Sequence, residues 1–195
     1  MVEELIVNCP KACDPDIIGQ GAGFKGENAD QAKIMFILHT PNDTILGQSY
    51  ITAFNNSTTG TVIRKMLDFC YLDTDDIYVT NLYKCLLKGE RKPRKTGYEA
   101  CIQHLNDEIL DFHPEKIILG GRPVYLNLFP YATENLDDVV GNTLDYRLGE
   151  ESFPCFLSYH PGMLEQRFTI EKRQEHYHRL AEFLDPKDNK EGSFF

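Results

Sequence analysis

Four short apolar runs, separated by stretches of helical periodicity, constrain this chain more than any other feature. They are Lys33–Leu38 (KIMFIL), Ile77–Thr80 (IYVT), Lys116–Leu119 (KIIL) and Pro154–Ser158 (PCFLS), each nearly continuous in apolar residues. A strand with one wet face alternates apolar and polar residues, whereas a strand covered on both faces does not. The runs therefore read as parallel strands buried between two layers of helices. Between them, Val62, Ile63, Met66, Leu67 and Cys70 mark one face of a helix over 60–70. Ile102, Leu105, Ile109 and Leu110 mark a second over 98–112, and Ile170, Tyr177, Leu180, Ala181 and Leu184 a third over 170–184. The order predicts a three-layer α/β/α sandwich around a short, mainly parallel sheet of about four strands. Folds of this class place their sites just beyond the carboxyl ends of the strands. That directs attention to His39-Thr40-Pro41-Asn42, Asn81, Gly120-Gly121 and His160-Pro161-Gly162.

The length of 195 residues suits a single domain. It would comprise an N-terminal segment over 1–30, the sandwich, and a polar tail over 185–195. The tail ends in Phe194-Phe195, a docking element or frayed chain. No stretch approaches the roughly 18 apolar residues of a membrane span. The start, MVEELIVNCP, has acids and no basic region, so it does not read as a signal peptide, and a cytoplasmic monomer is expected. The net charge of −10 rules out nucleic-acid binding through the global field. A local patch would be needed. KGERKPRK at 88–95 supplies Arg91, Lys92, Arg94 and Lys95, although such a run is also compatible with a plain solvated loop.

The chain has six cysteines, and in a cytoplasmic protein they are seldom disulfides. Cys9 and Cys13 form one close pair, and Cys85 and Cys101, 16 positions apart, form another. Four thiolates brought together suit Zn²⁺ or an iron–sulfur cluster, and spacing alone does not separate the two. Four unrelated buried thiols are the alternative. Cys70 and Cys155 fall on apolar faces and read as core.

Several motifs follow one another in order: Cys9 and Cys13, the Gly-rich GQGAGFKGENADQ, Thr40-Pro41, and Gly47-Gln48-Ser49-Tyr50. Then come Thr80-Asn81-Leu82-Tyr83-Lys84-Cys85, Arg91-Lys92-Pro93, Cys101, Leu119-Gly120 and Tyr159-His160-Pro161. Over roughly 9–167 this series resembles the family-4, iron–sulfur type of uracil-DNA glycosylases. The resemblance implies a [4Fe–4S] cluster, in preference to zinc, on Cys9, Cys13, Cys85 and Cys101. It also implies a base-excision role in DNA repair, with DNA holding uracil or a modified base as partner.

The same resemblance suggests roles. A flipped base stacks on an aromatic ring, here Tyr50 with Phe54 as its rival, in a pocket bordered by Thr40 and Pro41. Asn81 reads the base edge, because a side-chain amide offers a donor beside an acceptor; a turn or cap role is the plainer option. His160 donates to the base as negative charge develops, with Pro161 and Gly162 shaping its loop and Gly162 against the DNA backbone. Arg91, Lys92, Arg94 and Lys95 meet phosphates.

The sequence departs from the family at three points. The N-terminal pair is Cys-x3-Cys, one residue longer than the common form. The segment from Pro41 to Gly47 is about two residues short, and about six residues are inserted after Tyr50. The family's Glu is His39 here. His39 or Asp43 would then serve as base, or the protein cleaves slowly or only binds. Three outcomes stay open: a uracil-excising hydrolase, an enzyme for another modified base, and a non-catalytic member that binds DNA, a base or a protein partner.

Overall fold

The computed structural model describes residues 32–41, 56–87 and 93–184, with the backbone of 17–20 and 24–25; for 86 and 87 too, only the backbone is described. Among the described residues the central sheet has six strands. In chain order they are β2 (Phe24–Lys25), β3 (Ile34–Leu38), β4 (Ile77–Asn81), β6 (Lys116–Gly120), β7 (Thr143–Leu148) and β8 (Glu151–Ser158), arranged β2-β4-β3-β6-β8-β7. β4, β3, β6 and β8 run parallel, and they are the four apolar runs of the sequence. β2 and β7 close the two edges in antiparallel pairing. A separate pair joins β1 (Ile17–Gln20) to β5 (Cys85–Leu87), with Gln20 opposite Cys85.

Successive strand side chains point to opposite faces, and the core divides accordingly. Ile34, Phe36, Leu38, Ile77, Val79, Ile118 and Phe156 face one layer. It is formed by α1 (Thr58–Phe69), α5 (Pro161–Arg167) and α6 (Ile170–Leu184). Met35, Ile37, Tyr78, Ile117, Leu119, Cys155 and Leu157 face the other, formed by α2 (Lys95–Phe112) and α3 (Arg122–Leu128). A short α4 (Leu136–Val139) leads into β7. This is the expected three-layer sandwich.

Local signals set the helix starts. The Ser57 side chain accepts from the Gly60 N–H at 2.9 Å and caps α1. Pro161 occupies the first turn of α5, where its missing N–H costs nothing. The residues expected to form a loop at 160–162 thus open a helix. Two expected core positions face solvent instead: Leu110 is 42% exposed and Ile170 61%. Among the described residues, no helix is long and apolar enough to cross a membrane.

Candidate active site

The chain leaves β3 for β4 on one side and then returns past β3 to β6 on the other. Connections that diverge in this way open a crevice at the carboxyl ends of the strands. His39, Thr40 and Pro41 follow β3, Asn81 ends β4, Gly120 ends β6, and His160 lies two residues beyond β8. Leu38 stands opposite Asn81 in the β3–β4 register, and Gly120 opposite Ser158 in the β6–β8 register. The fold therefore gathers the expected residues of all four parallel strands along one edge.

Hydrogen bonds fix this rim. Leu82 N–H donates to the Leu38 carbonyl at 2.7 Å, and Tyr83 N–H to the His39 carbonyl at 2.9 Å. Gly121 N–H donates to the Ser158 carbonyl at 2.9 Å. Gly121 has φ +100°, a left-handed conformation that side chains resist, and a Cβ there would lie 3.1 Å from the His160 Cβ. The glycine lets the β6 turn pass directly beside the histidine.

His160 is half-buried and forms the N-cap of α5; its Nδ1 accepts from the Gly162 N–H at 3.2 Å. An accepting Nδ1 carries no proton, so in the neutral ring the proton sits on Nε2. Burial pushes the His160 pKa below its ordinary value, which keeps the ring neutral near pH 7. The result is an uncharged imidazole with one fixed donor.

Asn81 is 2% exposed. Beneath it lies a polar network that the strand and helix patterns do not announce. Lys84, 2% exposed, forms an ion pair with Glu108 of α2 and donates to Thr80 Oγ1 at 2.6 Å. Glu108 also accepts from Thr80 Oγ1 at 2.9 Å and from the Tyr78 hydroxyl at 2.5 Å. Burial pulls the Lys84 pKa down, and the Glu108 carboxylate opposes that pull. The network ties the turn after β4 to α2, so Lys84 serves the interior. Sequence reasoning passed over Glu108. Its signal was an acid on the buried stripe of Cys101, Leu105 and Ile109.

His39 is half-buried, with Nε2 hydrogen-bonded to the Tyr98 hydroxyl of α2. Thr40 is half-buried and Pro41 buried. Asp43, Tyr50 and Phe54 lie outside the described residues.

Of the four cysteines expected to hold a cluster, Cys9 and Cys13 also lie outside the described residues. Cys85 and Cys101 are 3% and 1% exposed and share a small core with Tyr83, against which Tyr98 packs. Lys84 N–H donates to Cys101 Sγ at 3.4 Å, as it would to a ligating thiolate. The β1–β5 pairing brings Ile17, four residues after Cys13, opposite Leu87, two residues after Cys85. Cys85 and Cys101 supply two of the four expected thiols to this corner; among the described residues no group of three or more His, Cys, Asp or Glu side chains could hold a metal ion. Cys70 and Cys155 pack as core residues, and burial pushes both thiols up to about 12.

Arg94 precedes α2, and Lys95 is its first residue; both are exposed. Cations at a helix N-terminus oppose its dipole and gain from an anionic partner. Arg91 and Lys92 lie outside the described residues.

One buried histidine went unforeseen. His176 on α6 is 4% exposed and hydrogen-bonded to Ser158 Oγ at 2.9 Å, against the rings of Phe156 and Tyr159. It falls on the inward stripe with Tyr177 and Leu180, while His178 faces out.

The sequence profile of the uracil DNA glycosylase superfamily matches residues 24–185. The chain belongs to the uracil DNA glycosylase superfamily. Within it, the chain is similar to the Type-4 uracil-DNA glycosylase of Saccharolobus solfataricus, at 27% identity over 83% of this chain and 76% of the relative. A Type-4 uracil-DNA glycosylase of Pyrobaculum aerophilum is 26% identical over 94% of this chain and 91% of its own length. That of Archaeoglobus fulgidus is 23% identical over 83% and 82%. The family-4 likeness read from the motifs therefore holds across the sandwich.

Proposed function

We propose that this superfamily member flips uracil or a related base from DNA and hydrolyses its N-glycosidic bond. The observation that carries the reading is His160: neutral, half-buried, with its Nε2–H fixed by the bond from Gly162 to Nδ1. As the C1′–N bond breaks, its electron pair moves to the base. A neutral donor aimed at the base oxygen stabilises that charge as it forms. Asn81, at the end of β4, sits three strands from β8, or about 14 Å at the usual strand spacing. Side chains reaching inward from both sides of such a gap leave room for one base between them. Its amide complements the O4 and N3–H edge of uracil. Water completes the reaction by attacking C1′ and giving a proton to His39, which stands where the family has a carboxylate. Asp43 is the other candidate base, and Tyr50, Thr40 and Pro41 complete the base pocket.

Cys9, Cys13, Cys85 and Cys101 would hold a [4Fe–4S] cluster. When bound it supplies a rigid cross-link among the N-terminal segment, β5 and α2, since hydrolysis transfers no electrons. That cross-link would brace the basic run between Cys85 and Cys101. Arg91, Lys92, Arg94 and Lys95, with Gly162, then meet the DNA backbone.

The replacement of the family's Glu by His39 favours a second reading, a member that binds DNA, a base or a protein partner with little turnover. An oligonucleotide with a single uracil, opposite guanine, opposite adenine or unpaired, separates the two. Excision followed by alkali cleavage supports the hydrolase. Tight binding with no cleavage in any context would support the binder, and cleavage restricted to other damaged bases would place the specificity elsewhere.

A further inference from the structure

His39 is gripped at two points by the segments that carry Cys85 and Cys101. Its carbonyl accepts from Tyr83 N–H at 2.9 Å, two residues before Cys85. Its Nε2 is hydrogen-bonded to the hydroxyl of Tyr98, three residues before Cys101. The His39 and Tyr98 rings stack with centroids 5.7 Å apart and an interplanar angle of 18°. Tyr98 is itself held in place, because the Tyr83 ring meets it edge-on at 5.9 Å. Tyr83 in turn fits over Gly97, where a Cβ would come within 2.6 Å of its ring.

A histidine base needs a fixed ring plane and a fixed tautomer, and a hydrogen bond to the far nitrogen supplies both. We propose that Tyr98 is a positioning residue for hydrolysis: its hydroxyl accepts from His39 Nε2–H, which leaves Nδ1 as the nitrogen that takes the proton of the attacking water. This rests on the reading of His39 as the base. In that step the water oxygen bonds to C1′, the C1′–N pair leaves with the base, and the water proton goes to Nδ1. Stacking alone does not account for the arrangement, since a phenylalanine would stack equally well. The hydroxyl is the atom that sets the tautomer.

The test compares wild type, Tyr98→Phe, His39→Ala and the double variant in single-turnover excision of uracil, alongside affinity for the same DNA and urea midpoints. Tyr98→Phe should lower the rate about three- to tenfold, the value of one hydrogen bond, with affinity and midpoint unchanged. In the His39→Ala background it should change nothing further, because it acts through His39. A wild-type rate in Tyr98→Phe, or an equal loss in both backgrounds, overturns the proposal alone. A wild-type rate in His39→Ala, or an inactive wild type, overturns the reading beneath it as well. Ring ¹⁵N spectra of wild type give an independent readout should Tyr98→Phe fail to fold. A proton on Nε2 supports the assignment, and a neutral ring protonated on Nδ1 refutes it.

Discussion

The buried His176 makes acid sensitivity a test of the packing. Its ring sits beneath Phe156 and Tyr159, with one nitrogen bonded to Ser158 Oγ. Burial, and then the nearby Arg179 guanidinium, lower its pKa from 6.5 to about 4. Between those values the unfolded chain binds a proton that the folded chain refuses, so stability falls as the pH drops and is complete only above about 6.5. The gap of 2.5 pH units, at 1.36 kcal/mol each, amounts to about 3 kcal/mol. Of this, about 2 kcal/mol is lost by pH 5. The His176→Gln variant keeps a polar contact for Ser158 but cannot titrate. Urea unfolding of both proteins from pH 7.5 to 4.5 should show wild type losing about 2 kcal/mol more than the variant by pH 5. An NMR titration of wild type should place the ring midpoint near 4. Parallel pH profiles, or a midpoint near 6.5, would show that the ring is solvated and the packing argument wrong.

Breaking the Lys84–Glu108 pair from one side, as Lys84→Met or Glu108→Gln, should cost about 3–5 kcal/mol in urea unfolding, with much of it recovered in Lys84→Met/Glu108→Leu. Cys85→Ser and Cys101→Ser should each lose the broad brown absorbance of an iron–sulfur protein, while Cys155→Ser keeps it; stoichiometric zinc in colourless wild type would contradict the cluster. Arg94→Ala and Lys95→Ala should each reduce the slope of log affinity for DNA against log salt by about 1, whatever the DNA sequence.

The layer order was legible because the four parallel strands are buried on both faces, which writes them as unbroken apolar runs. The edges were not. In β7, Thr143, Asp145 and Arg147 face solvent around a single buried Tyr146, and β8 begins with the exposed Glu151 and Ser152. β7 nevertheless carries the alternation of a strand with one wet face, in Leu144, Tyr146 and Leu148, which a reading built on continuous apolar runs passes over. β1, β2 and β5 have at most four residues each, too few for a period to register. Helix faces were read well where the stripe was apolar, as at Val62, Ile63, Met66 and Leu67. They were misread where a polar group sits inside, as with Glu108 and His176, or where an apolar residue sits outside, as with Leu110 and Ile170. Each of the two buried polar groups is compensated by a partner from another element, Lys84 or Ser158, that no local pattern reveals. The candidate residues His39, Asn81 and His160 could be named from the sequence because strand ends in this topology converge, and the structure places all three along that edge. The Tyr98 contact joins residues 59 positions apart and needed the fold to be seen.

The central claim is that a neutral His160, donating through Nε2, stabilises the departing base. Single-turnover excision of uracil by wild type and His160→Ala, at saturating protein, tests it most directly. The account predicts a loss of about 10²- to 10³-fold in the chemical step with DNA affinity retained. An unchanged rate would contradict it.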